Sequence, residues 1–357
     1  MAVELRTSTE ILHFVEAGWD IALLAVLLKL GVARRIRARG IVVVAAILAL
    51  LAIADLPLSL YRHSLSLHYG LSIQKWGPWL WDWMKGNAVS GALAIPLFTA
   101  GFALARRIRH WWIWAWAATV SVMIVVTFFV PVIVDPMFNR FRPLSEHHAD
   151  LIPKLGQVSI RAGVPIPPGR MFEMDASSKS RAVNAYLTGF GSSKRIVLWD
   201  TTIATLTPEQ IQTVFAHEAG HYVLQHVPKG LALASIALLL LIYGLYRVLG
   251  RDAGNPASLP KALLFLAIVS FLSEPAVNAY SRWQEHQADI FELETMNSLV
   301  AGEGANSAQV DLIMADINLE HPHPNAFVVW WLYDHPPSVK RMRFALHYQP
   351  AGRLKKF

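Results

Sequence analysis

The stretch Trp111-Trp112-Ile113-Trp114-Ala115-Trp116-Ala117-Ala118-Thr119-Val120-Ser121-Val122-Met123-Ile124-Val125-Val126-Thr127-Phe128-Phe129-Val130-Pro131-Val132-Ile133-Val134 contains no charged side chain. A helix needs about 20 apolar residues to cross a hydrocarbon core ~30 Å thick, and this run meets that length. Its tryptophan-rich start reads as an aromatic belt at a bilayer interface. Residues 88–105 are equally free of charge, and further apolar runs lie at about 11–33, 41–60, 230–249 and 262–280. The first of these is interrupted by Glu16, Asp20 and Lys29, the last by Glu274. The expected fold is mainly α: a polytopic membrane helical bundle of about six spans.

Composition agrees. A chain of 357 residues could form two or three small soluble domains, but 54% hydrophobic residues, 16% charged residues and thirteen tryptophans argue for a bilayer. The net charge of +7 does not point to nucleic acid, because the basic residues cluster at span ends. Arg34, Arg35, Arg37 and Arg39 form one group, and Arg106, Arg107 and Arg109 another. Such groups fit lipid headgroups and membrane orientation. Cysteine is absent, which excludes a disulfide framework and a thiolate metal site. No cleavable signal peptide is expected, since Met1–Glu10 is mixed and leads into a polar-interrupted helix. Asp20, Asp55 and Glu274 fall inside or beside spans, where ionisable groups face a bundle interior or water. Asp55, just before Pro57, could also sit at the interface.

Between the fourth and fifth runs lies a polar segment, about 137–228. Arg170–Glu173, Ala182–Phe190 and Arg195–Asp200 read as short strands, the last two joined by Gly191-Ser192-Ser193-Lys194 as a hairpin. Thr207-Pro208-Glu209-Gln210 then starts a helix: Thr207 caps, Pro208 suits the first turn and Gln210 falls at the capping-box position. That helix is expected to run from about Pro208 to about His226 and to stop at Pro228. Ile211, Val214, Phe215, Tyr222 and Val223 are spaced to pack one side of it.

On the other side lies His217-Glu218-Ala219-Gly220-His221. Residues four apart on a helix share a face, so His217 and His221 can hold one zinc ion. Glu218 is placed to take a proton from a zinc-activated water. The plain alternative is two satisfied histidines on a half-buried helix. A catalytic site needs a third protein ligand and an open fourth position. The metzincin pattern is rejected, because Leu224 and Val227 stand where it needs Gly and His. His226, five residues after His221, is expected on a different helix face, at the surface or behind a ligand. The better candidate lies in Ser281-Arg282-Trp283-Gln284-Glu285-His286-Gln287-Ala288-Asp289, where Glu285 and Asp289 share a helical face. Glu285 could reach the metal while Asp289 orients a neighbouring ligand. A solvated acidic face is the commoner fate of such a pair.

In this order the segments resemble the type I CAAX prenyl protease family in a prokaryotic form, the membrane-embedded gluzincin zinc endopeptidases. Asp135-Pro136-Met137-Phe138-Asn139-Arg140-Phe141-Arg142-Pro143-Leu144 comes first, then Val183-Asn184-Ala185-Tyr186 and Arg195-Ile196-Val197-Leu198-Trp199-Asp200. The His217–His221 helix, the Ser281–Asp289 segment and His335-Pro336-Pro337 with Arg341 follow. The chain begins close to the family's second helix, so the first is expected to be missing. The resemblance implies His217, His221 and Glu285 as ligands of one zinc ion per chain and Glu218 as general base. It also implies that Asn184 and His335 line the active site; Arg341 is expected to pair with Asp289. A water-filled intramembrane chamber, which Asp20, Asp55 and Glu274 would fit, is implied as well.

Residues 1–136 are thus expected to form N-terminal membrane helices, and 137–357 a zinc metallopeptidase domain that includes the last two spans. The expected partners are the lipid bilayer and a peptide or protein substrate, prenylated or membrane-associated; membrane-protein quality control fits equally well. An intramembrane site-2-type protease is disfavoured, because Glu209, Gln210, Gln212 and Gln225 make the helix too polar for lipid and no Leu-Asp-Gly follows. A non-enzymatic membrane scaffold with structural zinc is the remaining alternative. The setting is a multi-pass integral membrane protein, in the inner membrane if bacterial. Its sidedness is contested: the arginine clusters place the zinc domain outward, whereas the resemblance implies a cytosolic-facing site.

Overall fold

A computed structural model describes residues 1–189, 193–297 and 299–351. Among the described residues, six helices are long and apolar enough to cross a membrane. Helix α1 (Ala2–Lys29) leads through a single turn, α2 (Val32–Arg35), into α3 (Gly40–His68). Helices α4 (Trp76–Arg107) and α5 (Trp111–Ile133) complete the N-terminal four. Ile53, Trp114, Leu240, Leu272 and Val277 stand exposed on the span helices, as lipid-facing side chains must. At one end, Ala33, Val43, Phe102 and Leu259 pack together, and Trp111, Leu249 and Ala253 form a second cluster. The connections after α1 and α4 and before the last span therefore share that end, and the arginine clusters share it with them.

The short helix α6 (Asp135–Phe138) carries the chain out of the bundle to β1 (Phe141–Pro143) and α7 (Leu151–Arg161). A four-stranded sheet follows in the order β1-β2-β4-β3, with β2 (Met171–Met174), β3 (Ala185–Thr188) and β4 (Arg195–Trp199). β2 and β4 are parallel and the other two pairings antiparallel, with Ala185 opposite Leu198. The three expected strands are present: the first is shifted by one residue, the other two are shorter among the described residues, and β1 is an addition. Phe190, Gly191 and Ser192 of the expected second strand and hairpin lie outside the described residues. β3 is an edge strand beside the metal-site helix.

That helix comes after one short turn, α8 (Asp200–Thr205). α9 (Pro208–Val223) starts as expected: the Gln210 N–H donates to Thr207 Oγ1 and the Thr207 N–H to Gln210 Oε1, at 3.3 and 2.9 Å. Ile211 and Phe215 enter the soluble core with Leu155, Met171, Ile196, Leu198 and Phe291. The expected C-terminus is corrected. α9 ends at Val223, Gln225 turns left-handed with φ 58°, and α10 (His226–Leu249) begins at once. Pro228 does not stop a helix; it sits in the first turn of α10, where no intrahelical N–H is needed.

α11 (Leu259–Met296) extends the expected 262–280 span in both directions. Its 38 residues would reach about 57 Å, far more than a hydrocarbon core, so its C-terminal half projects into the soluble layer. α12 (Glu303–Ile317) and α14 (Ser338–His347) pack on that half, and α13 (Ala326–Leu332) on the middle of α11 between Phe271 and Arg282. Gly220 permits the approach: a Cβ there would lie 3.2 Å from both Ala288 Cα and Phe291 Cβ.

Candidate active site

α9 and α11 bring His217, His221 and Glu285 together, with one ligand atom of each within 4.8 Å of the others. His217 Nε2 is 3.2 Å from Glu285 Oε2 and 3.2 Å from His221 Nε2, which is 3.4 Å from Glu285 Oε1. Zinc bonds of ~2.0–2.2 Å at tetrahedral angles would separate neighbouring ligand atoms by roughly 3.3–3.6 Å. The donors fit such an ion. Two ring nitrogens facing each other beside a buried carboxylate make a donor set that a cation would satisfy.

Both imidazoles are steered from behind. His217 Nδ1 lies 3.1 Å from Asp289 Oδ1, and Arg341 Nη2 donates to the same oxygen at 2.7 Å. Arg341 Nε reaches both Asp289 oxygens at 3.2 Å, while Nη1 lies 3.3 Å from Asp311 Oδ1. The expected Asp289–Arg341 pair is therefore in place. His221 Nδ1 meets His226 Nδ1 at 2.9 Å. Each of the two histidines thus has its Nδ1 engaged and its Nε2 facing the other candidate donors, as fixed tautomers require. His226 is a correction to the expected different helix face. The break at Gln225 folds it back to His221, and it is buried.

Glu218 is half-buried and lines a cavity of about 250 Å³ together with Asn184 and His335. Burial pushes its carboxyl up; His217 and His221, and the Leu187 N–H from β3, oppose that. Asn184 directly precedes the edge strand rather than lying in it. Its N–H donates to Thr202 Oγ1 at 2.8 Å, and its Oδ1 accepts the Ala185 N–H at 2.8 Å. Asn318 grips the preceding Val183 at both N–H and carbonyl. His335 Nε2 is 3.4 Å from Glu285 Oε1, and Nδ1 is 2.9 Å from Asp334 Oδ1. Burial works against a charge on His335, but Asp334 and Glu285 outweigh it and raise its pKa. Glu274 lines a polar cavity of about 510 Å³ with His13 and Asn278 that reaches His335. Asp20 and Asp55 are not among its lining residues, so only Glu274 fits the chamber expectation.

The bundle and this centre define a membrane-embedded metalloprotease. Residues 145–349 match the model of peptidase family M48, and residues 7–140 that of the CAAX prenyl protease N-terminal region, five membrane helices. The chain therefore belongs to peptidase family M48. An uncharacterized metalloprotease of Bacillus subtilis (strain 168) is 32% identical over 364 residues, covering 94% of this chain and 82% of the relative. A CAAX prenyl protease 1 homolog of Arabidopsis thaliana is 30% identical over 305 residues, covering 82% and 69%. The crystal structure of S. mikatae Ste24p shares the fold, with a TM-score of 0.75 at 21% identity over 93% of this chain and 81% of that one.

Proposed function

We propose that the chain is a zinc-dependent integral-membrane endopeptidase that hydrolyses peptide bonds of lipidated (CAAX-type) or membrane-associated substrates. The observation that carries this reading is the convergence of His217, His221 and Glu285 with Glu218 at the wall of the adjoining cavity. Bound zinc would polarise the scissile carbonyl and acidify a water. Glu218 takes that water's proton and later hands it to the leaving amine. His335 and Asn184 hold the oxyanion; one such donor is typically worth ~3 kcal/mol in the transition state. Asp289, carried by Arg341, and His226 keep the two imidazoles in their ligating orientation. The edge strand β3 can accept an extended peptide through main-chain hydrogen bonds once Asn184 and Glu218 release its Ala185 and Leu187 N–H groups.

Support for a membrane-associated substrate comes from the far side of β3. A second cavity, about 550 Å³, lies between span α5 at Thr127, Leu187 to Gly189 of the edge, and Tyr222 and Val227. That volume is within the roughly 300–1,000 Å³ of small-molecule sites and admits an apolar chain. The test uses purified full-length protein in detergent and two peptides of one sequence, prenylated and unmodified. Cleavage should need zinc, stop on chelation and return on zinc addition, with the prenylated peptide cut faster. Stoichiometric zinc without cleavage of either peptide would favour the scaffold reading.

A further inference from the structure

At the basic end of the bundle, two inter-span connections border a pocket that the peptidase chemistry does not touch. Helix α4 closes on Arg106 and Arg107, Arg109 follows, and α5 opens on Trp111. Between α10 and α11, Arg251 follows Gly250, whose φ is 53°. The two connections lie directly against each other: a Cβ on Gly254 would stand 2.4 Å from Arg106 Cγ and 3.3 Å from Arg106 Cα. They leave a cavity of about 360 Å³, lined by Arg106, Arg107, Arg109, Arg251, Trp111 and Tyr246. Trp111 is buried and meets Tyr246 edge-on, with ring centroids 6.0 Å apart. All four arginines are exposed, and among the described residues none of them has an ion-pair or side-chain hydrogen-bond partner. Elsewhere Arg6, Arg62, Arg282 and Arg341 are each tied to a carbonyl or a carboxylate. Asp252 is the one acidic residue in either connection, and it does not line the cavity.

We propose that this pocket binds the phosphate of an anionic glycerophospholipid headgroup. A guanidinium pairs with phosphate through two parallel N–H donors, and four such groups around one cavity lack an acceptor. Position selects a lipid over a free phosphate. The pocket lies where the spans α4, α5 and α10 end, the level at which tryptophan and tyrosine settle among headgroups. Basic pockets between span ends take up anionic headgroups there. Ile113 and Tyr243 are exposed on α5 and α10 and offer apolar surface to acyl chains. A phosphate held by arginines of both connections would also tie the N-terminal spans to the two that carry the metal centre. The pocket is remote from that centre and is independent of whether the chain cleaves peptides.

The test uses the purified full-length protein in a neutral detergent, with phosphatidylglycerol, phosphatidylcholine or inorganic phosphate added. Native mass spectrometry counts the phospholipid retained, and a melting curve reads its effect on stability. Wild type should retain phosphatidylglycerol over phosphatidylcholine by about tenfold or more. Phosphatidylglycerol alone should raise the melting temperature, because a ligand of the folded state stabilises it. The triple variant Arg107→Gln/Arg109→Gln/Arg251→Gln should lose the preference; Arg106 is left intact because Gly254 packs on its stem. Arg251→Gln alone, at an exposed loop position, should weaken it roughly fivefold. The control is Arg34→Gln/Arg35→Gln/Arg37→Gln/Arg39→Gln, which removes more charge from the same end but none from the cavity lining, and should keep the preference. Equal loss in the control and the triple variant would mean diffuse attraction to surface charge and would overturn the pocket. So would equal retention of the two lipids by wild type, or an undiminished preference in both pocket variants. Displacement of phosphatidylglycerol by millimolar inorganic phosphate would make this a free-phosphate site and overturn the lipid assignment.

Discussion

His226 shows what a single residue adds to the centre. Its Nδ1 engages His221 Nδ1 at 2.9 Å, so His221 has only Nε2 to offer a metal. Removing such a support typically weakens metal binding 10–100-fold. His226→Ala is therefore expected to lower zinc affinity by about that factor in a competition titration; unchanged affinity would leave His226 a packing residue. The pairing of His217 with His221 was legible in the sequence, because a spacing of four on a helix fixes a shared face whatever the tertiary fold, whereas Glu285 was named by the family resemblance. His226 was not legible, because its reading assumed one unbroken helix. The break depends on Gln225 taking φ 58°, a backbone that glycine or asparagine would have advertised and glutamine does not.

At the level of elements, the centre depends on how closely α9 and α11 approach. Glu285 reaches the two histidines because Gly220 lets the helices pack on bare backbone. Gly220→Val would force side-chain atoms into Ala288 and Phe291, and overpacking of this kind costs about 1–3 kcal/mol. The variant should melt at a lower temperature than wild type and retain less zinc per chain by elemental analysis. Retention of full zinc and stability would show that the interface gives way without moving Glu285. The six spans could be placed from hydropathy, but their ends could not. Glu16, Asp20 and Lys29 weaken the apolar signal, yet α1 runs through the first two and ends only at the third. In α11 the switch from apolar to charged residues marks the exit from the bilayer rather than the end of the helix.

Over the whole molecule, charge is divided between the two ends of the bundle. Arg34, Arg35, Arg37, Arg39, Arg106, Arg107, Arg109 and Arg251 lie at the end opposite the metal centre, against Lys75, Lys85, Arg140 and Arg142 near it. The positive-inside rule then predicts that the basic end is cytoplasmic and the centre faces outward. The absence of cysteine makes this easy to read. In intact cells, an impermeant maleimide should label Ala149→Cys, and should label Ala38→Cys only after lysis. The reverse pattern would place the centre in the cytoplasm, as the family resemblance implies.

The central claim, a metal-dependent hydrolysis with Glu218 as base, meets its most direct test in one paired measurement on purified wild type and Glu218→Gln: zinc per chain and turnover of the same peptide. Glu218 is not among the three converging ligands, so both proteins should hold one zinc, and turnover should fall by roughly 10²–10⁴-fold, the usual contribution of a general base. A Glu218→Gln protein that keeps its zinc and cleaves at the wild-type rate would contradict the account.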